Sequence, residues 1–164
     1  MRARFSISFV DDIDRYVDED ELRVDHVRYR DAILRADPLH GAVDLEEGAE
    51  RVRIGDEMWY VIDFLCFDAV VALTAGKPFT YSAFAYVGER TLTPDGGVIH
   101  ISAMRPMGSP AATMSADGFA QELFACGQRY LGFLEQFSNA PKIQAVIGEL
   151  GRQRDRAAQA LASR

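Results

Sequence analysis

Near the start of the chain, RFSISFV alternates Phe5, Ile7 and Phe9 against Arg4, Ser6 and Ser8, a period of two that predicts a strand with one buried face. An acidic stretch follows. ELRVDHVRYRDAIL then spaces Leu22, Val24 and Val27 in a way that suits helix and strand alike, so both stay open as far as Pro38. AVDLEEGAERVRIGDE reads as two short strands, with Val43 and Leu45 on one arm and Val52 and Ile54 on the other, around a turn from Glu46 to Ala49.

The period changes in DEMWYVIDFLCFDAVVALTAGK. Ile62, Leu65, Ala69 and Leu73 recur at three- and four-residue spacing, Asp56 and Glu57 favour a helix start and Gly76 is placed to end it. This predicts a buried helix, apolar on most of its circumference. Three strands are expected next, Phe79 to Val87, Arg90 to Thr93 and Val98 to Ala103, the last two joined by a turn of Pro94, Asp95 and Gly96. RPMGSPAATM, rich in small residues, reads as a loop ending at Ser115, a candidate N-cap. From there Phe119, Leu123, Cys126, Tyr130, Phe133 and Phe137 step by four and three along one helix face, the pattern of a core stripe. Ser138 to Pro141 breaks the chain. Ile143, Val146, Ile147, Leu150 and Leu161 mark a last helix, weakened by Gly148 and Gly151, basic at its far end and free to pack, fray or dimerise. The order predicts an α+β fold: an antiparallel sheet packed on one face by two or three helices, in a single domain over 1–164 with 138–164 as a peripheral C-terminal helix.

Composition agrees with one globular unit: 164 residues, 48% hydrophobic and 26% charged. A chain of this length buries roughly 70% of its unfolded surface, so folding needs neither disulfides nor a structural metal. Cys66 and Cys126 fall on apolar faces of predicted helices and are expected to be inert buried thiols; no Cys-x-x-Cys pair exists. The N-terminal residues MRARFSISFVDD have the pattern of neither a signal peptide nor an anchor, and the densest apolar run, Met58 to Ala75, is interrupted by Asp63 and Asp68. Cytoplasmic residence is the default expectation.

Charge adds more. Residues 1–68 hold eighteen acids and nine bases, 69–137 five and four, and 138–164 two and five, so the net −7 comes from the N-terminal part. Such a field repels nucleic acid and anionic lipid and accelerates encounter with a basic protein. Seven carboxylates and one arginine lie between Asp11 and Glu21. A calcium loop does not fit them, because counting from Asp12 puts Tyr16 where an oxygen ligand and Val17 where a glycine is required. Two-carboxylate hydrolysis is unconstrained, since nothing beside these acids would raise one pKa. His26, His40 and His100 are scattered without metal-ligand spacing. A nucleophile formed by Cys66 or Cys126 with His100 lacks any activating context. No nucleophile elbow, phosphate loop or dinucleotide fingerprint is present. Asp63 and Asp68 are expected at the wet edge of their helix, the alternative being burial with a partner. Trp59 and Tyr60 are core or interface anchors, and Arg105 is an isolated base in the predicted loop.

Three segments, WYVIDFLCFDAVVALTAGK, YVGERTLTPDGGVIHIS and FACGQRYLGFLEQF, give a buried helix ending in Leu-x-x-Gly-Lys, a meander with a Pro-Asp-Gly turn and a helix with Cys-Gly-x-Arg-Tyr. Together, from Trp59 to Phe137, they resemble immunity proteins of bacterial polymorphic toxin and contact-dependent inhibition systems. The resemblance implies a protein that is not an enzyme and binds one cognate toxin, often a nuclease; no cofactor or metal is expected from the residues. Such proteins share no invariant functional residue, so none is carried over. A nuclease presents a basic groove, which an acidic region can occupy as a phosphate mimic. On that reading the partner-binding residues are Asp11, Asp12, Asp14, Asp18, Glu19, Asp20 and Glu21, the partner is a basic protein, and neither nucleic acid nor membrane is bound. The alternatives are a small hydrolase or metal-dependent enzyme using clustered carboxylates near His26 or His40, and a structural module that self-associates, as a homodimer, through the C-terminal helix.

Overall fold

A computed structural model describes residues 1–9, 15–85, 88–104 and 111–163. In the first of two antiparallel sheets, β1 (Arg2–Ser8) lies between β2 (Tyr16–Asp18) and β3 (His40–Glu47), and β3 pairs onward with β4 (Glu50–Glu57). Register puts Ala3, Leu45 and Val52 in one cross-strand row and Phe5, Val43 and Ile54 in the next, all buried. The predicted alternation is thus realised on β1, β3 and β4. The second sheet follows chain order, β5 (Phe79–Ser82), β6 (Glu89–Asp95), β7 (Val98–Ile101) and β8 (Ala112–Ser115).

The ambiguous stretch after β2 is helical, α1 (Glu19–Val24) and α2 (His26–Arg35), with a break at Asp25. After β4 the buried helix begins as α3 (Met58–Val61), widens to a π-helical stretch at Ile62–Asp68 and closes as α4 (Ala69–Thr74). The extra residue per turn rotates the chain's apolar positions, so Ile62, Leu65, Cys66, Phe67, Ala69 and Val70 are all fully buried. The helix α5 (Phe119–Glu135) lies on the first sheet, where the Phe5 ring meets Tyr130 edge-on at 5.3 Å. It also meets the π stretch at Gly127, where an added Cβ would stand 2.7 Å from the Phe67 ring. Finally α6 (Pro141–Ala162) packs on α5, α4 and the π stretch and buries Ile143, Leu150 and Ala157. Its apolar stripe is spent inside the molecule, and neither Gly148 nor Gly151 interrupts it.

Several boundaries differ from the sequence reading, each for a local reason. The expected single sheet is two. β5 ends at Ser82, and Ala83 makes one further bond in the same register, donating its N–H to the Gly88 carbonyl at 2.9 Å; residues 86–87 of the predicted strand lie outside the described residues. Pro94 belongs to β6, opposite Ile99, and the turn is Gly96–Gly97, both at positive φ, where glycine lacks the Cβ that would clash. Part of the predicted loop is β8, whose Ala112 and Met114 face inward while Thr113 faces out. The start of α5 is Gly118 at φ 69°, and the Ser115 hydroxyl instead accepts from the Asp117 N–H at 3.1 Å. Arg105 lies outside the described residues.

Two carboxylates join the sheets. Glu47, at the end of β3, accepts the Ser115 N–H of β8 at 2.6 Å and pairs with the N-terminal ammonium at 3.0 Å. These donors hold its carboxyl below the usual range. Asp56, fully buried at the end of β4, accepts the Tyr81 hydroxyl at 2.7 Å, the Phe84 N–H at 2.7 Å, the Ala85 N–H at 2.9 Å and the Glu57 N–H at 2.8 Å. Burial and this carboxylate push the Tyr81 phenol far above its ordinary range, which keeps it a donor.

Three results are expected in urea denaturation. Gly127→Ala lowers stability by about 1–3 kcal/mol through overpacking against Phe67 and Cys66, whereas Gly148→Ala, with open space around it in a helix interior, raises it by about 0.5–1 kcal/mol. Tyr81→Phe costs about 1.5–3 kcal/mol, the range for a buried hydrogen bond to a charged acceptor.

Candidate interaction surface

Of the seven acids singled out in the sequence, Asp11, Asp12 and Asp14 lie outside the described residues. The other four sit on one turn of chain and have four different duties. Asp18 is the N-cap of α1, accepting the Glu21 N–H at 2.9 Å, because an oxygen on a short side chain can satisfy an otherwise orphaned helix donor. Glu19 turns inward: its side chain is only 10% exposed and holds Arg129 of α5 at 3.0 Å, while the same guanidinium donates to the Ala3 carbonyl of β1. It is a strut between α1, α5 and β1.

Asp20 and Glu21 remain at the surface, 53% and 43% exposed. Asp20 stands among three arginines, Arg4 and Arg23 at 3.6 Å and Arg2 at 4.0 Å. Glu21 accepts the Tyr29 hydroxyl of α2 and lies 3.6 Å from Arg15. Tyr29 in turn stacks on Phe9 at 5.1 Å. The acids are therefore interleaved with bases, and Coulomb forces within the molecule already fix their positions. A cleft of about 750 Å³ opens beside them between α1, β1 and α5, with Arg2, Glu19, Asp20, Arg23, Arg129 and Gln136 in its wall.

The residues that sequence reasoning missed are apolar. Val24 and Val27 are 81% and 72% exposed, at the corner where α1 ends and α2 begins. The reason is the break at Asp25, whose backbone (φ −122°, ψ 36°) leaves helical geometry for one residue. Leu22 and Tyr29 take the inward positions on either side, and the two valines are turned out. Asp25, half-buried and 3.9 Å from Arg28, follows Val24, and Asp20 and Glu21 precede it by four and three residues on α1.

Elsewhere the sequence candidates separate. Asp68 pairs with Arg156 of α6, as an edge acid with a partner. Asp63 is only 7% exposed, against the expected wet edge, because the π stretch turns it under α6; among the described residues its Oδ1 has no hydrogen-bond partner. Burial first, then the nearby Glu149, raises its carboxyl pKa, and Arg156 opposes them. Cys66 and Cys126 come together, fully buried, and their mutual hydrogen bond together with burial raises the Cys126 thiol well above its usual value. His100 is on the open face of the second sheet with Thr113 Oγ1 at 3.1 Å and Asp95 at 3.8 Å. Among the described residues no three His, Cys, Asp or Glu side chains converge as metal ligands, and no helix is long and apolar enough to cross a membrane.

No protein-family model matches the chain, and neither a curated protein nor a solved structure is similar enough to count as a match.

The raised Asp63 pKa has a signed consequence. A carboxyl whose folded pKa lies above its unfolded value of about 3.9 stabilises the fold fully below that value and loses the contribution as pH rises through the folded one. Asp63→Asn should therefore gain stability relative to the wild type as pH rises from 4 to 8, in paired denaturation curves; a pH-independent difference would show an ordinary Asp63.

Proposed function

We propose that the protein binds and neutralises a cognate bacterial toxin, a basic protein of the nuclease class, through the α1–α2 corner and the acidic segment leading into it. One observation carries the reading. Val24 and Val27 are 81% and 72% exposed, left uncovered among the described residues, on a stretch of chain that also carries Asp20, Glu21 and Asp25. A protein contact needs desolvated apolar anchors with a polar rim, and this corner carries both kinds of residue. Residues 11–25 contain eight carboxylates against two arginines, so charge favours a basic partner. The resemblance of 59–137 to immunity proteins points the same way, and those segments form the core that holds the corner in place. Cytoplasmic action belongs to the proposal, because nucleic acid is met there.

On this reading the acids differ in what they can offer a partner. Asp20 and Glu21 are available to a partner, whereas Glu19 is committed to Arg129 and Asp18 to the helix cap. Because Asp20 is already surrounded by arginines, a partner's cations must compete for it, and the electrostatic contribution is expected mainly in the association rate.

The test is a paired capture. Tagged wild type and the Val24→Ser/Val27→Ser variant are exposed at low salt to lysate of the source organism. The wild type is expected to retain one basic protein, or the basic C-terminal fragment of a very large one, at near-equal stoichiometry. The variant should retain at least about tenfold less, from two apolar contacts worth about 1 kcal/mol each. The captured protein, expressed alone, should arrest growth, and co-expression with the wild type should relieve it. Equal capture by both proteins, or a captured protein that is harmless alone, would end the proposal. The association rate should fall steeply with ionic strength; a salt-independent rate would remove its electrostatic part.

A further inference from the structure

A second surface lies at the other end of α2. A groove of about 560 Å³ runs between that end, the Asp37–Leu39 segment and α6, with Ile33, Leu134, Ile143 and Val146 among the apolar residues of its wall. Trp59 stands at its lip, half-buried, its indole N–H donating to Glu57 Oε2 at 2.6 Å. Asp37, Glu57 and Glu149 line the groove with it. The one base among the described lining residues, Lys142, is spent on the Ala36 carbonyl, where it caps the end of α2. Neither Asp37 nor Glu149 has a hydrogen-bond or ion-pair partner among the described residues.

On its other side Trp59 meets Phe84, 61% exposed, at 6.1 Å between ring centroids, and Phe84 meets Tyr60 at 5.3 Å. The backbone that carries Phe84 is fixed by Asp56. The backbone under the aromatic lip is therefore held before any partner arrives, which lowers the entropy cost of binding. An aromatic face, an aliphatic wall and carboxylates without cations are complementary to one kind of guest. The head of an arginine or lysine can lie against the indole and pair with Glu149 while its stem covers the wall. The continuation to Phe84 gives room for an apolar neighbour in the same segment.

We propose that this groove takes a basic side chain flanked by apolar residues, supplied by a segment of the basic protein partner. The inference rests on the preceding reading for the identity of that partner, and on the groove alone for the chemistry.

Trp59 is the only tryptophan, so its emission reports on the groove directly. The full-length protein is titrated with a capped octapeptide of alternating arginine and leucine, and with one in which glutamate replaces arginine. The arginine peptide is expected to give a saturable change in emission and the glutamate peptide none. Glu57→Gln/Glu149→Gln should weaken binding roughly tenfold, the combined scale of two exposed charge contacts. Glu149→Lys, at an exposed position that does not endanger folding, should weaken it at least as much. Val24→Ser/Val27→Ser should leave it unchanged. An equal response to both peptides, undiminished affinity in the Glu149→Lys protein, or no saturable response would overturn the proposal. Failure here with toxin capture intact removes the groove only, whereas peptide binding without toxin capture removes the toxin reading and the partner's identity and leaves the groove's chemistry standing.

Discussion

The buried carboxylate of Asp56 is the constraint on which the arrangement depends. It is the penultimate residue of β4 in the first sheet, just before α3, and reaches Tyr81 and the backbone beyond β5 in the second sheet. A carboxylate taken out of water is costly unless hydrogen bonds replace its hydration. Four donors do so here, and they come from three places in the chain that can meet only when both sheets are in register. The same group that makes the burial tolerable makes the alternative placements of β5 intolerable. Glu47 repeats the device less deeply, tying β3 to β8 and to the N-terminus.

Charge on this protein has two roles that sequence counting merges. Asp56, Glu47 and Glu19 are structural: each ties together segments far apart in the chain. Asp20 and Glu21 are at the surface, partly balanced by neighbouring arginines. A count of acids in 11–25 therefore overstates the field a partner meets. What distinguishes the α1–α2 corner is the combination of that moderated charge with uncovered apolar side chains.

Much of the fold was legible because it follows local periodicity. The alternation of Phe5 and Ile7, the paired strands around Gly48, and the stripe from Phe119 to Phe137 all appear where the pattern put them. Features set by distant partners were not legible. Asp56 read as a helix-start residue because its donors come from residues 81–85, and Ala112–Ser115 read as loop because only β7 makes it a strand. Asp63 was expected at a wet edge because a regular helix was assumed, and the π stretch changes which residues face α6. At the candidate surface the acids were visible from composition, yet the exposure of Val24 and Val27 required knowing that Asp25 breaks the helix. The groove at Trp59 draws on α2, α3, α5 and α6 together, so no single stretch of sequence contains it.

The two proposed surfaces are linked by α2. Its ten residues span roughly 15 Å at 1.5 Å per residue, with Val27 near one end and the Ala36 groove at the other. Its buried side chains, Tyr29 and Ile33, anchor it to the body of the protein, so the two ends cannot move independently by much. A protein interface of ordinary size buries about 800 Å² on each partner, a patch wide enough to include both. One basic partner that contacts the corner through its apolar surface is thus within reach of the groove with a neighbouring basic side chain. Two contacts held at a fixed separation discriminate partners better than either does alone, because a wrong partner must match both charge and spacing.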